Sequence, residues 1–256
     1  MQNKGRDMKF DFSGQVALVT GATRGIGKQI ADDFAKLGAE VLLTGTDKST
    51  IDLLNKESRA KRLKKRYFCV DFTNPRSTQS FFKEIGQFPK IDICVNNAGI
   101  NNLDFLEDSK DKDWDNIVSI NLKAPYLLMR VIAKGMKKRG YGRIINMASI
   151  LSVVSRPKRS IYSATKFGIV GLTVATSTEL APYGVLVNAV SPGFILTDLT
   201  RKNLTDKERK EVVSQIPVGR LGQPSDVSNV VLFLSSQLNT YITGKNIVVD
   251  GGFIDG

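Results

Sequence analysis

The stretch VALVTGATRGIGKQIADDFAKLG, residues 16–38, joins a short apolar run to a helical pattern through a glycine-rich loop. Residues 16–20 have the composition of a buried strand, and the helix predicted over 25–37 has one apolar face, formed by Ile26, Ile30, Phe34 and Leu37. The junction contains three glycines, Gly21, Gly25 and Gly27. They allow a tight turn and a close approach of the backbone to a pyrophosphate. Since a helix N-terminus offers unpaired N–H groups, the stretch predicts a dinucleotide-binding unit.

Strand-like and helical patterns alternate along the rest of the chain. Further strands are predicted at 41–44, 67–70, 91–95, 143–147, 185–190 and 246–250, and further helices at 47–58, 75–86, 111–138, 162–181 and 224–236. This alternation predicts an α/β fold, a single Rossmann-type doubly wound parallel sheet of about seven strands with helices on both faces. We expect one domain over residues 1–256, with a polar leader at 1–11 and a substrate lid at 197–216.

The chain is strongly basic, with a net charge of +12 over 256 residues. Three runs concentrate this charge: RAKRLKKR (59–66), KKRGYGR (137–143) and RPKR (156–159). No nucleic-acid motif or interleaved aromatic residues accompany them, so they are interpreted as solvated faces and no nucleic-acid partner is expected. RPKR is an exception to this interpretation because of its position between two of the later motifs.

Other sequence features limit the location and the class of site. The chain shows no apolar signal region and no run of 18 apolar residues, which predicts a cytoplasmic protein without a membrane partner. Cys69 and Cys94 both lie in apolar runs and are interpreted as core thiols, without a disulfide or a metal site.

The run SIYSATKFGI, residues 160–169, places a tyrosine four residues before a lysine in a chain without histidine. On a helix Tyr162 and Lys166 share one face, and a nearby cation lowers the pKa of a phenol. The pair is therefore a candidate proton-transfer unit in place of histidine. The alternative is an ordinary surface helix.

Several motifs occur in a fixed order around this pair. The glycines follow Thr20 with the spacing G-x-x-x-G-x-G, NNAG lies at 96–99, Asn121 lies in SINLKAP, Ser149 ends NMAS, and PGFILTD lies at 192–198. In this order, over about residues 12–253, the chain resembles the short-chain dehydrogenase/reductase family. Within the family it looks most like the 3-oxoacyl-(acyl-carrier-protein) reductases and the related sugar or polyol dehydrogenases.

The resemblance implies an oxidoreductase that transfers hydride between a nicotinamide cofactor and a carbonyl or secondary alcohol. Tyr162 would exchange a proton with the carbonyl oxygen, Ser149 would bond that oxygen, Lys166 would hold the cofactor ribose, and Asn121 would anchor a water relay. The implied cofactor contacts are Gly21, Thr23, Arg24, Gly25, Ile26, Gly27, Thr46, Asp71, Phe72, Asn97, Ala98, Gly99, Tyr162, Lys166, Pro192, Gly193, Ile195 and Thr197. Locally, Ser149 and Asn121 could instead be caps, and Asn96 and Asn97 turn residues.

The end of the second strand indicates which nicotinamide cofactor is used. Family members that prefer NAD usually carry Asp where this chain has Gly45, and Arg24 is placed as in many NADP-dependent relatives. Thr46 and Lys48 could add donors, so NADP(H) is favoured over NAD(H). Asp47 argues the other way, because its carboxylate could reach the ribose.

The predicted substrate is a 3-oxoacyl thioester or a keto sugar or polyol. Two departures from the carrier-protein reductases are Asn101–Asn102 after the NNAG motif and LAPYG (180–184), which lacks a basic docking residue. The cations of RPKR lie between Ser149 and Tyr162, so they either attract an anionic substrate or point to solvent.

The resemblance also implies self-association, and a homotetramer built as a dimer of dimers is expected from helices 111–138 and 162–181 and the apolar C-terminal stretch. The alternative function is a non-catalytic nucleotide sensor or RNA-binding scaffold on the same fold. Such a scaffold has no need of the Tyr–Lys pair.

Overall fold

A computed structural model of the chain describes residues 9–197, 200 and 205–255, and its central feature is a seven-stranded parallel sheet. The strand order is β3-β2-β1-β4-β5-β6-β7. The strands are β1 Val16–Val19, β2 Glu40–Gly45, β3 Lys65–Cys69, β4 Ile93–Asn96, β5 Gly142–Met147, β6 Val185–Pro192 and β7 Asn246–Val249. The predicted α/β architecture is confirmed.

Helices cover both faces of the sheet and bury two separate apolar layers. They are α1 Gly25–Lys36, α2 Lys48–Ala60, α3 Pro75–Gly86, α4 Asp111–Val118, α5 Ala124–Arg139, α6 Ser160–Leu180, α7 Asp206–Ser214 and α8 Pro224–Ser235. One layer packs α1 and α8 against the sheet around Phe34 and Val231, and the other packs α3 and α5 around Phe81 and Leu128. None of the described helices is long and apolar enough to cross a membrane.

The helix predicted over 111–138 is interrupted. A π-helical turn, Ser119–Lys123, separates α4 from α5 and contains the buried Asn121. A π turn adds a residue to the helical repeat and re-aims its side chains, and such turns are frequent at functional sites.

Helix α7 was not predicted, although the sequence carries its signal. Thr205 and Glu208 form a capping box, in which each side chain accepts the backbone N–H of the other. The helix lies within the expected lid, 197–216, of which residues 198, 199 and 201–204 lie outside the described residues.

Two residue interpretations are wrong. Cys69 is exposed because β3 is the edge strand, whereas Cys94 is buried as predicted and burial raises its pKa to about 12. Arg143 belongs to a run interpreted as solvated, yet it is 6% exposed. Its guanidinium donates to three backbone carbonyls, those of Gly142, Gly184 and Asn239.

Candidate active site

The loops at the carboxyl ends of β1 and β4 are joined by hydrogen bonds. The Thr20 hydroxyl accepts the N–H groups of Asn97 and Ala98, each at 3.0 Å. The Asn97 amide donates back to the carbonyls of Thr20 at 2.9 Å and Gly21 at 3.0 Å. The glycine loop and the NNAG segment therefore form one rigid wall of the cleft.

Two glycines make this contact possible. Gly21 has a φ of +63°, and a Cβ there would lie 2.8 Å from the Ala98 Cα. At Gly27 a Cβ would lie 2.3 Å from the Asn97 amide nitrogen and 2.4 Å from the Gly21 carbonyl oxygen. Gly27 therefore allows the close packing of the glycine loop against the NNAG segment.

The start of α1 fits a dinucleotide phosphate. Arg24 is the N-cap residue and makes no side-chain capping bond, and its own side chain is exposed. Thr197, from the segment after β6, faces this turn, since its Cγ2 would lie 3.6 Å from a Cβ placed at Gly25. The first N–H groups of the helix thus border a cleft with a second wall opposite.

The residues after β2 and β3 flank the same cleft. Thr46 and Asp71 are exposed, whereas Phe72 is 9% exposed and its ring packs against Phe81 in the core. The Asp71 carboxylate accepts the backbone N–H and hydroxyl of Thr73. Any cofactor contact of Phe72 would therefore have to use its backbone or ring edge.

Asp47 is committed to the fold. Its carboxylate caps α2, accepting the Thr50 N–H at 2.8 Å and the Ser49 hydroxyl at 2.7 Å. The bonds from Thr50 and Ser49 hold its pKa below the ordinary value. Beside it, Gly45 is buried against Thr23 and brings no charge of its own to the cleft.

The segment after β6 forms the far wall. Ile195 pairs with Gly222 in an isolated parallel bridge, and Thr200 donates its hydroxyl to the Ile195 carbonyl at 2.6 Å. Gly193 packs against Asp250, where a Cβ would lie 2.7 Å from the aspartate Cβ. Pro192 ends β6.

Lys166 is buried on α6, one turn after Tyr162. The side chain is 4% exposed, and Nζ donates to the Met147 carbonyl at the end of β5 at 2.7 Å. The same nitrogen lies 5.4 Å from the centre of the Tyr162 ring. Burial lowers the pKa of Lys166 to about 8.

The pKa of Tyr162 was expected to be lowered by Lys166, and this prediction is wrong. Burial raises it above the ordinary phenol value, and this effect outweighs two opposing ones. The opposing effects are a hydrogen bond with the Ser149 side chain and the positive charge of Arg159. Arg159 is not part of the family motifs, and its positive charge favours the ionised phenol.

Ser149 and Asn121 are the other two predicted catalytic residues. Ser149 caps a 3-10 turn by accepting the Leu151 N–H at 3.2 Å, besides its bond to Tyr162. Asn121 exchanges two 2.9 Å bonds with the backbone of Ile100 and donates to the Thr165 hydroxyl at 3.2 Å. It does not cap a helix start but joins the NNAG segment to α6.

Gly99 lies between these groups. A Cβ there would lie 3.4 Å from the Asn121 side-chain oxygen and 3.7 Å from Lys166 Nζ. The structure therefore brings the predicted glycine loop, NNAG segment, Asn121, Ser149, Tyr162 and Lys166 to one edge of the sheet.

A buried polar chain below the cleft was missed. Asn96 donates to the Asn146 side chain at 2.7 Å, and Asn146 donates to the Thr173 hydroxyl at 2.9 Å. All three residues are at most 3% exposed. An asparagine inside the otherwise apolar run RIINM was a signal for it, since buried amides need partners.

The cations of the RPKR loop separate in the structure. Arg156 stacks over the rings of Phe194 and Phe253 at 5.1 and 4.8 Å and donates to Gln215 at 3.0 Å. Lys158 Nζ lies 4.6 Å from the centre of the Phe105 ring. Among the described residues, no group of three His, Cys, Asp or Glu side chains could hold a metal ion.

Comparison with known proteins places the chain in a family. A family model described as enoyl-(acyl carrier protein) reductase matches residues 21–254. The chain is 40% identical over 244 residues to the 3-oxoacyl-(acyl-carrier-protein) reductase FabG of Rickettsia felis, covering 95% of this chain and 98% of the relative.

Comparison with solved structures gives the same family. A putative gluconate dehydrogenase from Agrobacterium tumefaciens superimposes with a TM-score of 0.90 at 33% identity, covering 96% of this chain and 98% of the other. A gluconate 5-dehydrogenase from Burkholderia cenocepacia in complex with NADP and tartrate gives 0.89 at 29% identity, with the same coverage. The chain therefore belongs to the short-chain dehydrogenase/reductase family and is an NAD(P)-dependent oxidoreductase acting on CH–OH or C=O groups.

Proposed function

We propose that the chain interconverts a carbonyl compound and its secondary alcohol with NADP(H), using Tyr162 as the acid–base group. The observation that carries the proposal is the wall formed by Ser149, Tyr162 and Lys166, with the lysine fixed on the Met147 carbonyl. Nothing in the described residues favours the alternative of a non-catalytic scaffold, which would not need this wall.

Because the pKa of Tyr162 lies above its ordinary value, its hydroxyl is protonated at neutral pH. A phenol that stays protonated at neutral pH can donate its proton to a carbonyl oxygen. The Ser149 hydroxyl, already bonded to Tyr162, is placed to donate to the same oxygen as negative charge develops. When bound, a nicotinamide cofactor would supply the hydride to the carbonyl carbon in the direction of reduction and accept it in the other.

Lys166 and Asn121 have supporting roles, in cofactor binding and in positioning the backbone beside α6. The Lys166 ammonium would donate to the ribose hydroxyls of the cofactor while the Met147 carbonyl holds it in place. Asn121 keeps the backbone of Ile100 beside α6, and a water on this backbone could return protons to the lysine.

The preference for NADP(H) rests on charge at the adenosine end. Asp47 is engaged in capping α2, and Gly45 offers no carboxylate to a ribose hydroxyl. Arg24 is exposed at the start of α1 and can reach a 2′-phosphate.

The substrate candidates follow the relatives, which include carrier-protein reductases and gluconate dehydrogenases. The segment LAPYG (180–184) itself has no basic residue to dock a carrier protein. However, Lys137, at the end of α5, lies 4.2 Å from the ring of Tyr183 in this segment. A 3-oxoacyl thioester therefore stays a candidate beside a keto sugar.

A homotetramer is part of the proposal. Helices α4, α5 and α6 expose Trp114, Tyr126, Phe167 and Val174, each 46–51% exposed. Phe167 and Val174 are seven residues apart, on one face of α6. Such a stripe is suited to a symmetric helix–helix interface.

Replacing Tyr162 by phenylalanine (Tyr162→Phe) should lower turnover by about a hundredfold or more while NADPH still binds, because only the transferable proton is removed. Turnover with a panel of 3-oxoacyl thioesters, keto sugars and diketones, and nucleotide titration by fluorescence, measure the two effects. Tyr241→Phe, at a residue 94% exposed, is the control and should change neither. Full turnover in Tyr162→Phe would refute the role.

Arg24→Ala should weaken NADPH binding by about tenfold or more and leave NADH binding nearly unchanged, because it removes a charge-assisted bond to the 2′-phosphate. Both nucleotides are titrated into wild type, Arg24→Ala and the control Lys36→Ala, at the far end of α1. Equal affinity of wild type for the two nucleotides would contradict the assignment.

Light scattering at micromolar concentration should give about four times the 28.2 kDa chain mass. Val174→Glu should produce a smaller species, since it places a charge in the helix interface. Leu53→Glu, at a 57% exposed residue of α2, should not. A monomeric wild type would rule out the tetramer.

A further inference from the structure

Arg159, at the start of α6, is a half-buried cation without a partner in the described part of the chain. It is the N-cap residue of the helix, with φ −126° and ψ 12°, and makes no side-chain capping bond. Among the described residues its guanidinium has no hydrogen bond, ion pair or aromatic ring contact. Its five N–H donors are therefore not used by any residue that the structure describes.

The neighbouring cations are already occupied. Arg156 stacks on two aromatic rings and bonds to Gln215, and Lys158 lies over the ring of Phe105. Both residues are exposed, whereas Arg159 is withdrawn from solvent. Of the three cations in RPKR, Arg159 is therefore the one whose side chain the described residues leave available to a ligand.

Leaving this group unpaired is unfavourable. Burial lowers the pKa of Arg159, and the charge of Arg156 acts in the same direction. Tyr162 raises that pKa only as a phenolate, and the phenol is neutral at neutral pH. A half-buried guanidinium with a like charge nearby and no carboxylate is stabilised when a ligand brings an anion.

The position of Arg159 indicates which ligand this is. Arg159 precedes Tyr162 by three residues, so the two side chains lie on one side of the first turn of α6. An anion held here is close to the phenol and therefore belongs to the molecule whose carbonyl reacts there.

We propose that Arg159 is a specificity-determining residue that binds a carboxylate of the substrate, so that keto acids and hydroxy acids are the preferred substrates. The inference rests on the proposed function. A single guanidinium matches the charge and the two oxygens of a carboxylate. A phosphate dianion carries two charges, of which one guanidinium compensates one, and Arg156 and Lys158 are engaged elsewhere.

The test compares each keto acid with its methyl ester, which keeps the carbonyl and removes the charge. Pyruvate, acetoacetate, levulinate and 5-oxohexanoate place the carboxylate at increasing distances from the carbonyl. Wild type, Arg159→Gln, Arg159→Lys and the control Lys158→Gln are assayed at saturating NADPH for kcat and KM.

We expect wild type to prefer at least one acid over its ester. Arg159→Gln should lower kcat/KM for that acid by about tenfold or more, mainly through KM, and for the ester by only a few-fold. The small loss on the ester reflects the missing charge beside Tyr162. Arg159→Lys should recover part of the preference, and Lys158→Gln should retain all of it.

Results that contradict the inference can be distinguished from results that contradict the proposed function. Equal losses on acid and ester would mean that Arg159 acts only through Tyr162, and no loss on either would make it an ordinary surface cation. Both overturn the inference and leave the proposed function standing. If wild type reduces neither acids, esters nor diketones with NADPH, the proposed function fails and the inference with it.

A binding experiment distinguishes the type of anion. With NADPH bound, calorimetric titration of succinate into wild type should show binding that Arg159→Gln weakens by about tenfold. Inorganic phosphate should bind more weakly than succinate. Tighter binding of phosphate would overturn the assignment to carboxylates.

Discussion

The bond from the Lys166 ammonium to the Met147 carbonyl is the constraint on which the site depends. It fixes a buried cation at the carboxyl end of β5 and thereby fixes α6 against the sheet. Tyr162 is set by its place one turn earlier on the same helix, and Ser149 by its place two residues after the carbonyl. Without this bond the buried charge would have no hydrogen-bond partner among the described residues and would be strongly unfavourable.

The cofactor side and the catalytic side of the cleft are one hydrogen-bonded unit. Thr20 holds the NNAG segment, and this segment continues into Ile100, which Asn121 joins to Thr165 beside Lys166. The glycine loop and the surroundings of Lys166 are therefore connected by contacts within a single hydrogen-bonded unit. The family motifs, far apart in sequence, are the parts of this unit that touch one another.

The sequence was sufficient to predict the fold, because strand, loop and helix patterns are local, and the structure brings the motif residues that it indicated to one edge of the sheet. The structural features that the sequence did not predict depend on tertiary contacts. The π turn at Asn121 follows from bonds to Ile100 and Thr165, and the exposure of Cys69 from the edge position of β3. The raised pKa of Tyr162 follows from burial, which no spacing of residues reveals.

The most direct test is the pH dependence of stability in wild type and Lys166→Met. The pKa of Lys166 falls from 10.5 to about 8 on folding, so between these values the unfolded state binds the extra proton. The free energy of unfolding of wild type, minus that of Lys166→Met, should therefore rise from pH 8 to 10.5 by on the order of 3 kcal/mol. A difference that stays flat over this range would show an ordinary, solvated lysine and contradict the account.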